Sequence, residues 1–393
     1  MNIQSLITLL KLFLLFVLLW NKNLSANTST LDWIDLSDNV LNEWNVSYSD
    51  GELLSLEFFP KKLQPSQINK TIFVILPKKS NSYSLALNKF LETMKRDQIA
   101  AHISVFNFQK QTSLGLQILA KAKQADIDLI FSLGSETASL VSNHFKGESI
   151  PVITSINKDP VLLGFVDDYT SPSGSNIAYT TLNIPIDIQI NYLKTLKPNL
   201  KAIGLIYNVQ HQAVMQTEVR PIKEKFKEIG IEVIDIQVSS RETAKEELQR
   251  ALPAAMQQLQ DSDESLDNSL FWLTSSTAAF AEISTINQYS QNIPVIGSIP
   301  NIVKPGDDSA VLGIGIDRRN NALLASMYAV KVLKKEVNVS DLTVGIVSPP
   351  DIAINFKIAR KIGLKIPFDF FESASFIYNY QGQPARTFGK DLQ

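Results

Sequence analysis

The chain has 393 residues, of which 45% are hydrophobic and 19% charged, and this length fits two domains that each bury a core. It carries 37 Lys and Arg against 39 Asp and Glu, a balance that argues against a nucleic-acid-binding protein working through phosphate neutralisation. The sequence contains no cysteine, which excludes disulfides, thiolate metal sites, iron–sulfur clusters and a lipid-modified N-terminal cysteine.

Residues 1–26 have the layout of an export signal. Lys11 precedes an uninterrupted apolar run over 12–20, and a polar stretch follows that predicts cleavage after Ala26. Counted from Ile3, the apolar stretch reaches about 18 residues, the lower edge of membrane-spanning length, so an uncleaved N-terminal anchor is the alternative. Both interpretations predict a periplasmic or other extracytoplasmic location for the body of the protein.

The next part of the chain changes from weak to strong periodicity. Residues 27–70 form an N-terminal extension, in which 53–59 could pair as a strand. From Thr71 onward, short apolar runs alternate with amphipathic patterns, which predicts parallel strands joined by right-handed helical crossovers. The first series predicts strands at 72–76, 103–106, 128–133 and 151–156, and helices at 84–98, 114–125 and 136–145.

A polar passage at 167–175 precedes a second series of the same kind. Two consecutive series predict an α/β protein with two Rossmann-like lobes, lobe 1 over 71–180 and lobe 2 over 181–305. The second series predicts strands at 202–207, 231–236, 270–274 and 294–297, and helices at 214–229, 241–260 and 278–291.

Residues 306–393 follow the two predicted lobes and do not form a third series of the same kind. They carry a predicted strand at 310–316 and predicted helices at 319–333 and 351–362. Because these elements have no sheet of their own, we expect at least some of them to return to lobe 1, followed by a C-terminal tail. Multiple crossings between lobes predict a hinge and a cleft that closes on a ligand.

Catalytic chemistry has little support in the residue patterns. His102, His144 and His211 lie in no metal-ligand spacing and beside no nucleophile pattern, although His211 follows a strand end and could line a cleft. Gly313 and Gly315 lack the third glycine of a dinucleotide fingerprint. We therefore predict a non-enzymatic protein with no catalytic residue, no metal site and no cofactor.

Polar residues follow the predicted strands of both lobes. Ligands of open parallel sheets bind beyond the carboxyl ends of the strands, where these residues lie. Each could simply cap a helix, but their presence on the same edge of both lobes indicates a donor-rich cleft suited to a carboxylate. The candidates are Ser80, Ser82, Tyr83, Ser135, Glu136, Thr137, Asn157 and Asp159 in lobe 1, and Tyr207, Asn208, Ser275, Ser276, Thr277 and Ser298 in lobe 2.

The segments 128–138, 150–166, 204–208 and 354–367, in this order and spacing, resemble a known family. It comprises the substrate-binding proteins of bacterial ABC importers with the type I periplasmic-binding fold, in particular the subfamily associated with tryptophan and tyrosine uptake. The resemblance covers about residues 71–380. It implies that the polar residues above form a ligand shell, together with Asp317, which could receive an amino group or else cap a helix.

The resemblance also implies a function and partners. The protein would be an extracytoplasmic receptor that closes on a small polar ligand such as an amino acid and delivers it to an ABC permease. We expect a monomer with no nucleic-acid partner. The alternative is a ligand-sensing module of the same fold that is coupled to a signalling partner, for which the N-terminal extension and an uncleaved N-terminus would be the signs.

Overall fold

The computed structural model describes residues 33–49 and 53–392, which form two α/β lobes. The predicted export signal at 1–26 lies outside the described residues. Among the helices of the described part, none has both the length and the apolar character needed to cross a membrane.

The first lobe is built on a seven-stranded sheet. Its central strands are continuous apolar runs because both faces are covered: Ile72 and Val74 point into one core and Phe73 and Ile75 into the other. The strands are β1 (Trp44–Ser49), β2 (Ser55–Pro60), β3 (Lys70–Leu76), β4 (Ala101–Asn107), β5 (Leu129–Leu133), β6 (Val152–Ser155) and β7 (Ile177–Ala178), in the order β1-β2-β4-β3-β5-β6-β7.

The N-terminal extension is part of this sheet. β1 and β2 pair antiparallel, and β2 pairs antiparallel with β4, whereas the pairs among β3 to β7 are all parallel. The expectation of a strand at 53–59 is thereby confirmed. The helices of the N-terminal half are α1 (Asp38–Glu43), α2 (Asn81–Arg96), α3 (Thr112–Gln124) and α4 (Ser135–His144).

The second lobe has a nine-stranded sheet, also covered on both faces. Its strands are β8 (Ala202–Asn208), β9 (Glu232–Val238), β10 (Ser269–Leu273), β11 (Val295–Gly297), β12 (Leu312–Gly315), β13 (Asp351–Asn355), β14 (Ala374–Tyr378), β15 (Pro384–Thr387) and β16 (Lys390–Asp391), in the order β16-β15-β14-β13-β12-β11-β10-β8-β9.

The remaining helices lie mostly against this second sheet. One of them, α6, consists of three consecutive segments, Gln212–Val214, a π-helical turn over Met215–Val219, and Arg220–Glu228. The others are α5 (Ile186–Leu196), α7 (Ala244–Ser262), α8 (Thr277–Phe280), α9 (Ile283–Ser290), α10 (Arg318–Leu333), α11 (Phe356–Lys361) and α12 (Phe368–Ser373), with short 3-10 turns at Pro65–Gln67, Pro300–Ile302 and Val339–Asp341.

The C-terminal segment was expected to have no sheet of its own and to return in part to lobe 1. Its strands instead extend the second sheet, since β12 pairs with β11 and β13, and β14 to β16 follow toward the sheet edge. The predicted helix at 351–362 is therefore wrong in its first part: residues 351–355 form strand β13, and only 356–361 are helical. The reason is that Ile352 and Ile354 pack into the core on one face of the sheet and Ala353 into the core on the other. The helix α10 does return to the first lobe, where Ala322, Ala325 and Ala329 join its core.

The chain crosses between the lobes three times, after β7, between β12 and α10, and before β13. Asn321 of α10 ties these crossings together. It is fully buried, its side-chain oxygen accepts from the backbone N–H of Ile156 (2.8 Å), and its amide donates to the Thr180 hydroxyl (3.1 Å) and the Thr181 carbonyl (3.0 Å). A parallel bridge joins Thr180 to Gly345 on the third crossing. The predicted fold, two Rossmann-like lobes with a hinge of several crossovers, is confirmed.

Candidate functional site

A cleft of about 1040 Å³ lies between the lobes, at the carboxyl ends of strands from both sheets. This is the position at which open parallel sheets bind ligands. Nine of the candidate site residues predicted from the sequence line this cleft: Ser80, Ser82, Tyr83, Ser135, Glu136, Asn208, Ser275, Thr277 and Ser298. His211, at the start of α6, also lines the cleft, and its ring Nδ1 accepts from the backbone N–H of Val214 (3.3 Å).

The other six predicted residues, Thr137, Asn157, Asp159, Tyr207, Ser276 and Asp317, are buried behind the cleft wall. Asp159 accepts from the backbone N–H of Val161 (2.9 Å) and from the Tyr169 hydroxyl (2.5 Å). Asp317 caps α10 through the backbone N–H of Arg319 (2.8 Å). These contacts satisfy both carboxylates, so we expect the two residues to support the wall and not to contact a ligand.

Tyr207 also faces away from the cleft. Its hydroxyl donates to a carboxylate oxygen of Asp235 (3.0 Å) and accepts from the side-chain amide of Gln237 (3.0 Å). Burial and the negative charge of Asp235 raise the pKa of Tyr207 to about 12, which keeps the hydroxyl neutral. Its side chain therefore stabilises the second lobe at the strand end, one residue before cleft-lining Asn208.

The wall of the first lobe is built around the N-terminus of α4. Gly134 precedes this helix with a positive φ of 89°, and a Cβ at this position would overlap the hydroxyl of Tyr83. Burial raises the pKa of Tyr83, so its hydroxyl stays neutral. Ser135, the first residue of the helix, accepts from the backbone N–H of Lys158 (2.9 Å). A helix N-terminus at a cleft favours a negatively charged ligand group.

The most connected group in the cleft is Glu218, which sequence reasoning missed. It lies in the π-helical turn of α6, and its side chain is 1% exposed. The ammonium of Lys158, from the first lobe, lies 2.6 Å from one carboxylate oxygen. Ser275 donates to the carboxylate through its hydroxyl and its backbone N–H (2.9 Å), and the Ser298 hydroxyl donates as well (3.1 Å). The amide of Asn183 completes the set at 3.4 Å.

The charge state of Glu218 follows from these contacts. Burial alone would raise the pKa of the carboxyl, but the charge of Lys158 and the hydrogen bonds from Lys158 and Ser275 outweigh it and hold the pKa below its ordinary value. Glu218 is therefore ionised. The sequence could have pointed to Glu218, because it lies four residues from both Val214 and Ile222, which are buried. A carboxylate at this spacing falls on the apolar face of the helix, where it needs a polar partner.

The rest of the cleft is rich in cations. Lys78, Lys110, Lys158 and Arg318 line it against two carboxylates, Glu136 and Glu218. Glu136 pairs with Lys110 (3.3 Å), whereas Arg318 forms no ion pair with any residue that the structure describes. Among the described residues, no three His, Asp or Glu side chains come together as metal ligands. The apolar part of the wall consists of Phe108, Leu140, Ile156, Leu163, Phe165, Leu182, Ala213, Ile299 and Ile316.

The profile of the ABC transporter substrate binding protein family matches residues 73–375. The chain belongs to this family. The predicted resemblance is thereby confirmed, and so is the prediction that the protein is not an enzyme, because the family consists of binding proteins.

Relatives agree with this assignment. A tyrosine-binding protein of Clostridioides difficile is 26% identical over 249 residues, 63% of this chain and 67% of its own length. A ligand-free, open substrate binding protein with adhesive properties from Clostridium difficile has a TM-score of 0.60 at 20% identity and covers 78% of this chain and 98% of its own. An ABC domain in complex with L-Trp from Streptococcus pneumonia also gives 0.60 at 20% identity, with coverages of 79% and 99%. The two solved structures support the shared fold.

Proposed function

We propose that this family member binds an amino acid between its two lobes and delivers it to the permease of an ABC importer. The observation that carries the proposal is the distribution of charge across the cleft. The first lobe presents the N-terminus of α4 and four cations, Lys78, Lys110, Lys158 and Arg318, beside one carboxylate, Glu136. The second lobe presents the buried carboxylate of Glu218. A zwitterion matches both walls, with its carboxylate toward the first lobe and its ammonium toward the second.

The apolar wall favours an amino acid with a large side chain. Tyr83, Phe108 and Phe165 line the cleft and offer ring faces and edges on which an aromatic group can pack. A volume of about 1040 Å³ exceeds what a glycine or alanine would fill and lies at the upper end of ordinary ligand pockets. The tyrosine-binding relative and the L-Trp complex support tyrosine or tryptophan as the first candidates.

Transport also requires export and a partner. The apolar run of residues 12–20 supports export to the periplasm or another extracytoplasmic space, either with cleavage after Ala26 or with a retained anchor. The family match supports an ABC permease as the partner and favours transport over a sensory role. We expect the receptor to act as a monomer.

Isothermal titration calorimetry tests the proposal. Wild-type protein is titrated with L-tyrosine, L-tryptophan, other amino acids, nucleosides and sugars, and saturable binding of one amino acid per chain is expected. Ser135→Ala and Asn208→Ala, which change cleft-lining residues, should weaken binding, whereas Gln117→Ala, at an exposed position on α3 that does not line the cleft, should not. Saturable binding of a sugar or nucleoside alone, or no binding of any compound, would refute the proposal.

A further inference from the structure

The two lobes supply different kinds of partner to Glu218: one supplies neutral hydrogen-bond donors and the other supplies a cation. Ser275 and Ser298, which follow β10 and β11, belong to the same lobe as Glu218 and donate neutral hydrogen bonds to it. Among the described residues, the cation that pairs with Glu218 is Lys158, which follows β6 of the other lobe. When the lobes separate, the carboxylate keeps its neutral donors and loses its counter-charge.

The backbone of Lys158 is fixed in the first lobe. Its N–H donates to Ser135, and its carbonyl accepts from the side-chain amide of Asn157 (2.9 Å). Only the side chain reaches across the cleft, and it is 12% exposed. A second contact crosses at the same π-helical turn, where the side-chain amide of Gln216 donates to the Leu162 carbonyl (2.9 Å). The turn that carries Glu218 is therefore a contact point between the lobes.

A buried carboxylate is costly unless a cation pairs with it. In the structure described here, the Lys158 ammonium supplies that cation from within the chain. An external ammonium group placed at the same position would make the same hydrogen bonds to Glu218, with Ser275 beside it, and would release the flexible side chain of Lys158. The position is an ammonium site that the protein itself occupies.

We propose that Glu218 is the acceptor for the ammonium group of the ligand, and that Lys158 takes the place of this group in the empty protein and holds the cleft closed. The first part rests on the proposed amino-acid function. The second part, closure by Lys158, does not depend on which ligand is bound. It predicts that the empty wild-type protein is closed and that loss of either charge opens it.

The absence of cysteine from the chain makes a distance measurement direct. Spin labels on Ser113→Cys and Arg241→Cys, exposed positions at the rim of the first and second lobe, report the distance between the lobes by pulsed electron resonance. Without any ligand, the wild-type background should give one short distance, and Lys158→Ala and Glu218→Gln should each shift it to longer values. Lys223→Ala, which removes an ion pair to Asp235 within the second lobe, should leave it unchanged.

Propylammonium is the decisive probe, since it replaces the atoms that Lys158→Ala removes. It should restore the short distance in Lys158→Ala and not in Glu218→Gln, and sodium propionate should restore it in neither. The proposal is overturned if Lys158→Ala keeps the short distance, or if propylammonium does not shorten the distance in that variant. Glu218→Gln tests closure independently if Lys158→Ala does not fold.

A second arm addresses the ligand. Calorimetry compares L-tyrosine with 3-(4-hydroxyphenyl)propionate, which lacks the ammonium group. Wild-type protein should prefer the amino acid by at least about tenfold, and Glu218→Gln should lose this preference. An unchanged preference in Glu218→Gln would overturn the ammonium assignment. If no amino acid binds at all, the proposed function fails, and the distance measurement still decides whether Lys158 closes the cleft.

Discussion

The ammonium of Lys158 lies 2.6 Å from a carboxylate oxygen of Glu218, and the two residues belong to different lobes. Opening the cleft separates them without unfolding either lobe. The ion pair therefore acts on the equilibrium between open and closed forms, whereas polar contacts inside one lobe act on folding. This difference leads to a first prediction.

Lys158→Met should change the free energy of unfolding little, because Glu218 regains water when the cleft opens. Asp263→Asn is the matched comparison within one lobe: Asp263 accepts from the backbone N–H of Asn268 (2.7 Å) and the hydroxyl of Ser269 (3.0 Å). We expect Asp263→Asn to lower the free energy of unfolding by about 1.5–3 kcal/mol, the usual range for hydrogen bonds to a charged group. Equal losses in both variants, measured by urea unfolding, would show that the ion pair stabilises the fold itself.

Closure should also depend on pH. The closed form holds the pKa of Glu218 below its ordinary value of 4.5, because the Lys158 charge and the hydrogen bonds outweigh burial. This contribution to closure is fully present above the ordinary pKa and is lost as the pH falls through the lower pKa of the closed form. The distance between the spin labels should therefore lengthen as the pH falls below 4.5. In Glu218→Gln this acid-induced change should be missing; its persistence there would assign the transition to other groups.

Gly134 should tolerate no side chain. Gly134→Ala imposes a positive φ on alanine and places a Cβ against the Tyr83 hydroxyl, which would displace this cleft-lining ring. Gly230→Ala, also at positive φ but with nothing within 4 Å of the new Cβ, isolates the backbone strain, which is about 1–2 kcal/mol. Thermal unfolding should show a larger loss for Gly134→Ala, and calorimetry should show weaker ligand binding for that variant alone. Equal behaviour would mean that Tyr83 moves aside freely.

Asn321 should contribute to the free energy of unfolding through its buried hydrogen bonds at the crossings between the lobes. Asn321→Ala leaves the Ile156 N–H and the Thr181 carbonyl without their partner at the crossings between the lobes. We expect a loss of about 1–3 kcal/mol in the free energy of unfolding, as for buried polar groups without a partner. Asn338→Ala, which removes an exposed contact to Asp341, should stay within about 0.5 kcal/mol of wild type. A loss in the free energy of unfolding below about 0.5 kcal/mol for Asn321→Ala would contradict its role in the hinge.

Much of the fold could be predicted because strands buried on both faces have sequences that are short apolar runs, as in β3 and β8. The pairing of the C-terminal strands could not, because it depends on which sheet edge is free. Strand β13 illustrates this: Asp351 to Asn355 has an apolar middle and polar ends, and the antiparallel partner β12 decides its conformation.

The site was predictable in part for a similar reason. Polar residues directly after strands fall at the cleft by topology alone, as Ser135, Ser275 and Ser298 do. Glu218 lies inside a helix, and its partner Lys158 is 60 residues away in the sequence, so only the packing of the two lobes brings them together. For Asp317 the sequence left two roles open, and the structure places it as a helix cap.

The central claim is that the cleft of this chain holds one amino acid. Native mass spectrometry of the freshly purified protein tests it most directly, because a bound ligand adds its own mass to the folded chain and is released on denaturation. We predict one added amino-acid mass per wild-type chain, with tyrosine or tryptophan as the first candidates, and a reduced bound fraction in the Ser135→Ala, Asn208→Ala double variant. A wild-type chain that carries no small molecule and takes up none from a mixture of amino acids would contradict the account.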